Sequence, residues 1–213
     1  MAELPDYSAA EFNRRLAAAY PVELPATVGS ALFAHYLELR RWAPTLALVG
    51  AGVGEELFER HYVESLAAAP LLPPGPGRLL DIGSGQGFPG LVLAALRPDL
   101  EVTLVEARER KWAFLAAASR RAGLECRCLN ARVSASSTPD LPPAVAAISI
   151  VTVRALKLEP SAWAALAPRL AAGARALLWS GEEVSPPPAP FEPGRSLRLS
   201  GERRWIREYR FTG

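Results

Sequence analysis

The chain has 213 residues, of which 50% are hydrophobic and 22% are charged, and its formal net charge is +2. This composition is typical of a soluble globular protein and excludes disordered and fibrous classes, and the length is enough for one good-sized core. No apolar run approaches the roughly 20 residues of a membrane span. The two cysteines, Cys126 and Cys128, give neither a disulfide framework nor a full set of metal ligands, so we expect a cytoplasmic protein without a metal.

The first third of the chain predicts helices. Ser8 and Glu11 form a capping-box pattern ahead of an apolar-periodic stretch. Three helices are expected, over residues 8–20, 27–42 and 54–69, and Thr27 is expected to cap the second. Residues 73–77 are rich in proline and glycine and end the region. We therefore expect residues 1–72 to be an N-terminal helical extension packed on the core, within one structural domain overall.

The remainder alternates short apolar runs with helical patterns. Strands are expected over residues 78–82, 101–106, 124–129, 146–153 and 174–179, with helices over 90–96, 111–121 and 160–170. Such alternation is typical of a doubly wound parallel sheet with helices on both faces. Two further strand-like runs, 195–199 and 204–211, follow a proline-rich segment at 185–188. For residues 73–213 we expect a Rossmann-like α/β core, mostly parallel, with an antiparallel C-terminal strand.

A glycine-rich segment, Asp81-Ile82-Gly83-Ser84-Gly85-Gln86-Gly87-Phe88-Pro89-Gly90, follows the first of these strands directly. Glycines at such a turn let the backbone approach a ligand closely. Asp81 would repel the pyrophosphate of a dinucleotide but attract the ammonium and sulfonium groups of S-adenosylmethionine. Glu106, at the end of the second strand, can accept hydrogen bonds from both ribose hydroxyls. The pattern favours S-adenosylmethionine over a nicotinamide cofactor. The alternative interpretation, that the segment is only a tight turn next to a chance surface acid, stays open.

These residues carry a resemblance to a known family. From roughly residue 37 to residue 176 the chain resembles the glucose-inhibited division protein B family, which methylates guanine N7 in small-subunit ribosomal RNA. The most specific match is the Phe88-Pro89-Gly90 ending of the glycine loop. Further matching segments are Glu59-Arg60-His61-Tyr62-Val63-Glu64-Ser65-Leu66, Thr103-Leu104-Val105-Glu106, Ala131-Arg132-Val133 and Val153-Arg154-Ala155.

The resemblance implies a class I methyltransferase fold, S-adenosylmethionine as cofactor, and ribosomal RNA or the small ribosomal subunit as partner of a monomer. Carried over by match, and with Asp81 and Gly85 added from the loop, the cofactor contacts are Asp81, Gly83, Gly85, Phe88, Glu106, Val133, Ser134 and Arg154. Arg154 either pairs with the cofactor carboxylate or orients the target nucleotide. His61 and Ser65 are expected to line the substrate cleft.

Two departures from the family pattern bear on these expectations. Ser134 stands where the family usually has glutamate, which weakens the expected cofactor contact. Ser180 stands where the family usually has lysine, which removes an expected contact to RNA or substrate. Two alternatives therefore stay open: a methyltransferase acting on a small molecule or protein, and a non-catalytic RNA-binding relative.

The catalytic chemistry needs few special side chains. Guanine N7 has a free lone pair, so alignment of donor and acceptor can replace a catalytic base. His35 and His61 are the only histidines, and no catalytic residue is assigned beyond Arg154 as a group that orients the substrate. Arg203 and Arg207 alternate with aromatic residues near the C-terminus, where they are expected to contact RNA or to protect an edge strand from aggregation.

Overall fold

The computed structural model describes residues 4–46, 57–183, 185–200 and 203–213. Within these ranges the strands are β1 (Gly77–Ile82), β2 (Leu100–Glu106), β3 (Arg127–Asn130), β4 (Ile148–Arg154), β5 (Leu170–Ser180), β6 (Phe191–Arg198) and β7 (Trp205–Phe211). They form one sheet in the order β3-β2-β1-β4-β5-β7-β6. Strands β1 to β5 pair in parallel, and β7 runs antiparallel to both β5 and β6. The expected mostly parallel sheet with an antiparallel C-terminal strand is confirmed: β7 alone runs opposite to the other strands, and β6 pairs with it at the edge of the sheet.

The helices of the described ranges are α1 (Ala9–Ala19), α2 (Ala26–Leu46), a π-helix (Phe58–Val63), α3 (Glu64–Leu66), α4 (Gly90–Leu96), α5 (Glu109–Arg121) and α6 (Pro160–Leu166). The capping box of α1 is confirmed, because the Ser8 side chain accepts from the Glu11 amide and the Glu11 carboxylate accepts from the Ser8 amide. Since α2 begins at Ala26, Thr27 lies inside the helix and the expectation that it caps α2 is wrong.

Several other expected boundaries differ from those observed: α2 ends at Leu46 instead of residue 42, β5 begins at Leu170 instead of residue 174, and β6 begins at Phe191 instead of residue 195. Strand β3 begins at Arg127 instead of residue 124, and α6 ends at Leu166, where the short 3-10 turn Ala167–Arg169 leads into β5. The expected third helix is π-helical over Phe58–Val63, which a 3.6-residue period does not distinguish from an α-helix. The start of that helix, near Gly54, lies outside the described residues.

Two hydrophobic cores lie on opposite faces of the sheet. Side chains alternate along a strand, so Leu79 faces one core and its neighbour Leu80 faces the other. The first core contains residues of α1, α2, the π-helix, α4 and α5, and the second contains residues of α6 and of the C-terminal strands. Because the N-terminal helices share the first core with the sheet, they are packed on one of its faces. The domain boundary at residue 72 stays a prediction.

None of the helices that the structure describes is long and apolar enough to cross a lipid bilayer. Across the same parts of the chain, no group of three or more histidine, cysteine, aspartate or glutamate side chains is arranged to hold a metal ion.

Candidate functional site

A cavity of about 800 Å³ lies at the carboxyl ends of the first four strands. Its walls come from the segments that follow β1, β2, β3 and β4, and from the π-helix. In doubly wound sheets this edge is where ligands bind, because the loops leaving the strands diverge there. Of the expected cofactor residues, those that line the cavity are Gly83, Gly85, Phe88, Glu106, Val133, Ser134 and Arg154.

The glycine loop closes over the end of β2. The amides of Gly83 and Ser84 donate to the Val105 carbonyl, at 2.8 and 3.1 Å. Gly83 has a φ of +73°, a conformation that favours glycine, and a Cβ there would lie 3.0 Å from the Leu156 side chain. The loop backbone therefore lies directly at the cavity wall, as a close contact with a ligand requires.

The Glu106 carboxylate is held by two backbone amides. Its Oε2 accepts from the Gly85 amide at 3.0 Å, and its Oε1 accepts from the Arg108 amide at 2.8 Å. Each carboxylate oxygen can accept two hydrogen bonds, so one acceptor site remains on each for a ligand. A pair of hydroxyls on adjacent carbons, as on a ribose, matches this arrangement.

Asp81 lies beneath the loop and does not line the cavity. Its side chain is 1% exposed, and Oδ1 accepts from the Thr152 hydroxyl at 2.7 Å. Oδ2 has no hydrogen-bond partner among the described residues. Burial raises the Asp81 pKa to about 6, against the opposing effect of the hydrogen bonds from Thr152 and Ser84. The buried carboxylate can therefore reach a ligand in the cavity only through a bridging group such as a water molecule. Its role toward a cofactor stays a prediction.

Arg154, at the end of β4, belongs to a buried ionic network. Its Nη2 donates to Glu64 Oε2 at 3.0 Å and to the Arg60 carbonyl, and Arg204 pairs with the other Glu64 oxygen. The Glu64 side chain is only 4% exposed. Burial raises the Glu64 pKa, whereas the nearby arginines lower it. One carboxylate therefore joins β4, the N-terminal helices and the turn between β6 and β7.

His61 lines the cavity, and its ring stacks on Phe88 with centroids 4.9 Å apart and planes 24° apart. Its Nδ1 lies 3.3 Å from Arg154 Nη2. Burial, followed by the charges of Arg154 and Arg60, lowers the His61 pKa to about 3, so the ring is neutral near pH 7. Ser65 is fully buried and donates to the His61 carbonyl at 2.6 Å, so it supports the helix instead of facing the cleft.

The segment after β3 forms another part of the cavity wall. Val133 is buried in the wall, and the Ser134 amide donates to the Thr138 hydroxyl at 3.1 Å. The Ser134 hydroxyl lies 2.6 Å from that of Ser137. The serine that replaces glutamate is thus engaged within its own loop.

His35 was not among the expected site residues, yet it supports the glycine loop. Its Nε2 lies 2.8 Å from the Gln86 carbonyl, which can only accept, so Nε2 carries the proton. Nδ1 then accepts from the Tyr62 hydroxyl at 3.0 Å. Burial lowers the His35 pKa to about 4, which keeps this neutral form near pH 7. Helix α2 and the π-helix therefore fix the loop through one ring.

The C-terminal arginines lie outside the cavity. Arg207 donates to the Ser180 hydroxyl at 2.8 Å and to the Gly181 carbonyl at 3.0 Å, and Arg203 pairs with Glu182. They lie where β5 ends and β7 begins, at the same edge of the sheet as the cavity. The structure therefore brings them near the site edge without making them part of its wall.

Besides Arg154, four basic residues line the cavity. They are Arg108, Lys111, Arg132 and Lys157. Arg108, Arg132 and Lys157 are exposed to solvent. We name these four residues the basic rim. The fold brings these four residues to one cavity although they follow three different strands.

Known proteins resemble the chain in sequence. The family model described as "GidB: rRNA small subunit methyltransferase G" matches residues 30–184. A relative from Desulfotalea psychrophila, named ribosomal RNA small subunit methyltransferase G, is 40% identical over 138 residues, which are 63% of this chain and 61% of the relative. A relative of the same name from Methylobacterium nodulans is 36% identical over 183 residues, 83% of this chain and 81% of the relative. The match to the first of these spans less than two thirds of its length.

Solved structures resemble the chain in fold. An S-adenosylmethionine-dependent methyltransferase from Aquifex aeolicus gives a TM-score of 0.56 at 13% identity, covering 70% of this chain and 90% of that one. TrmN from Thermus thermophilus gives 0.53 at 18% identity, covering 70% of this chain and 48% of that one. These likenesses confirm the expected Rossmann-like class I methyltransferase fold.

Proposed function

The chain belongs to the rRNA small subunit methyltransferase G family, and we propose that it transfers a methyl group from S-adenosylmethionine to N7 of a guanine in 16S ribosomal RNA. The resemblance to the glucose-inhibited division protein B family is thereby confirmed. The observation that carries the proposal is a cavity lined by the glycine loop, the fixed Glu106 carboxylate and the basic rim.

The residues of the cavity fit the cofactor. The volume of about 800 Å³ is within the range of small-molecule sites. The free acceptor sites of Glu106 suit the ribose hydroxyls, and the apolar side chain of Val133 suits the adenine. When bound, S-adenosylmethionine supplies a methyl group on a positively charged sulfur. The residues proposed to hold it are Asp81, Gly83, Gly85, Phe88, Glu106, Val133, Ser134 and Arg154.

No side chain has to remove a proton in this reaction. Bound S-adenosylmethionine would supply its methyl group to the N7 lone pair of neutral guanine, and the electrons of the broken carbon–sulfur bond would remain on sulfur. The chain contributes by aligning acceptor and donor, and this alignment can lower the activation barrier by several kcal/mol or more. The target base would lie against the part of the cavity wall that His61, Arg154 and the 48% exposed Leu156 form.

The basic rim favours RNA over a small molecule or protein as the substrate. Four basic side chains in the wall of one cavity attract phosphates, and arginine binds phosphate oxygens with a planar pair of donors. We propose that RNA approaches across the N-terminal extension, residues 1–72, and the carboxyl ends of the strands. The small ribosomal subunit, a cytoplasmic location and a monomeric state are part of the same proposal.

The proposal is tested by mapping 7-methylguanine in 16S ribosomal RNA from a strain that lacks the gene. We expect one guanine to lose its methyl group and the wild-type gene to restore it. Purified protein should then methylate the same guanine in naked RNA or in the small subunit from that strain. If no guanine differs and the protein instead labels a small molecule or a protein, the RNA substrate is wrong.

The rate of methyl transfer should be nearly independent of pH from about pH 7 to 8.5, because no base has to ionise. His61 and His35, with pKa values of about 3 and 4, stay neutral throughout this range. Asp81, with a pKa of about 6, stays ionised. The single-turnover rate at saturating RNA and cofactor measures this. A steep rise with pH at constant RNA affinity would indicate an amine or hydroxyl acceptor instead.

RNA affinity should decrease with salt, since each neutralised phosphate releases counterions. For single-stranded RNA we expect the log–log slope to change by about 0.7 for each phosphate that the protein no longer neutralises. The double variant Arg132→Ala with Lys157→Ala should therefore bind RNA more weakly and with a flatter slope, while its cofactor affinity stays the same. The same comparison with Arg203→Ala and Arg207→Ala tests the C-terminal arginines.

Arg127→Ala is the matched control. Arg127 is exposed and begins β3, at the edge of the sheet opposite the cavity. Its replacement should leave both affinity and slope unchanged. Salt-independent binding by the wild type, in both naked RNA and the small subunit, would contradict the RNA substrate.

A further inference from the structure

The ring of His61 has one nitrogen with a fixed role. Nδ1 lies 3.3 Å from Arg154 Nη2, and a guanidinium can only donate. The two Nη2 protons are directed to Glu64 Oε2 and the Arg60 carbonyl, but a proton on Nδ1 would still face a cation that cannot accept it, so the neutral ring carries its proton on Nε2. The ionic network thus determines the tautomer of His61.

The orientation of this ring is also fixed. Arg154 is held by Glu64 and by the Arg60 carbonyl, and Glu64 is held in turn by Arg204. Stacking on Phe88 defines the plane of the ring. Contacts from the glycine loop and from β4 therefore leave the imidazole little freedom to rotate.

The other ring nitrogen is unused. Among the residues that the structure describes, Nε2 of His61 has no hydrogen-bond partner, although the ring lines the cavity with Phe88, Arg154 and Leu156. Nε2 is also not fully buried, because it is absent from the fully buried polar atoms that have no hydrogen-bond partner. An oriented donor that is open to the cavity and has no protein partner indicates a contact with a ligand.

We propose that the Nε2 proton of His61 is donated to O6 of the target guanine and that this contact specifies the base; the inference rests on the proposed function. The exposed edge of guanine presents two adjacent acceptors, N7 and O6, whereas adenine has an amino donor in place of O6. A donor on O6 leaves the N7 lone pair free for the methyl carbon and disfavours adenine. A donor on N7 itself would block the reaction.

A neutral histidine suits this role. Methyl transfer forms the N7–carbon bond and leaves a positive charge on the purine, so a cationic ring at O6 would oppose the reaction. The charge of Arg154 behind the ring is balanced by Glu64. His61 gains and loses no proton during the transfer, and its contribution is the placement of the base.

The test compares two bases at the methylated position of 16S RNA: guanine, and 2-aminopurine, which keeps N7 but has hydrogen in place of O6. Single-turnover rates are measured for wild type, His61→Phe and His61→Gln. For His61→Phe, which keeps a ring for stacking on Phe88, we expect the preference for guanine to fall about tenfold, the effect of one hydrogen bond. The rate on 2-aminopurine should hardly change. His61→Gln, whose amide can donate, should recover part of the preference.

Other outcomes overturn the inference. Equal losses on both bases would mean that His61 only supports the site. A loss of S-adenosylmethionine affinity with an unchanged base preference would mean that Nε2 binds the cofactor. Failure of the wild type to methylate guanine at all would instead contradict the proposed function, so the two failures are distinguishable.

Discussion

Replacing Gly83 with valine is expected to lower the affinity for S-adenosylmethionine by at least about 100-fold, or roughly 2.7 kcal/mol. The φ of +73° disfavours any β-branched residue, and the new Cβ would lie 3.0 Å from Leu156. To relieve this strain the loop must shift, which would displace the Gly85 amide from Glu106. Calorimetry with the cofactor or its demethylated product measures the change, from a wild-type affinity expected in the micromolar range.

Gly123→Val is the matched control for this variant. Gly123 has a similar φ of +66° and follows α5 away from the cavity, and a Cβ at this position would meet no described atom within 4 Å. Its replacement should cost stability through the same backbone strain, while the cofactor affinity remains that of the wild type. The glycine-loop interpretation fails if folded Gly83→Val binds S-adenosylmethionine normally, or if the wild type binds NAD instead.

Replacing Glu64 with alanine is expected to lower the free energy of unfolding by about 3–5 kcal/mol, the usual cost of removing one partner from a buried ion pair. The change would leave Arg154 with an unbalanced charge in a site where its side chain is 15% exposed, and it would free Arg204 as well. Denaturant unfolding with a constant m-value measures the loss. Methyl transfer should also slow, since Arg154 orients His61.

Glu101→Ala provides the comparison. Glu101 also pairs with an arginine, Arg78, but its side chain is 75% exposed. An exposed pair of this kind contributes under about 1 kcal/mol, so this variant should be nearly as stable as the wild type. Similar small losses for both variants would show that the Glu64 network is solvated and does not hold the site.

The sequence was sufficient to predict the sheet and the position of the glycine loop and Glu106, which line the cavity. Period-two apolar runs and the glycine segment are local signals, so β1, β2 and the loop from Gly83 were expected at the positions where they occur. The boundaries of β3 and α6 depend on pairing and packing, which a window of sequence does not contain. For the same reason the π-helix could not be distinguished from an α-helix.

The ionic network and the supporting histidine could not be predicted, because both depend on contacts between distant residues. Glu64 and Arg154 are 90 positions apart, and His35 contacts the loop 51 positions away. For Asp81, the sequence predicted the position but not the environment of the side chain. Its position at the end of β1 was predicted, but the burial of its side chain depends on how the loop and Thr152 cover it.

The meeting of three chain segments at Glu64 constrains how this protein can evolve. Glu64, Arg154 and Arg204 come from three widely separated segments of the sequence, yet the charge of each is balanced only while the others are present. A single substitution at any of them passes through an intermediate with an unbalanced buried charge. We therefore expect strong epistasis among the three positions, with viable replacements arising as joint changes. Grafting the C-terminal hairpin from a relative would succeed only together with a matching N-terminal helix.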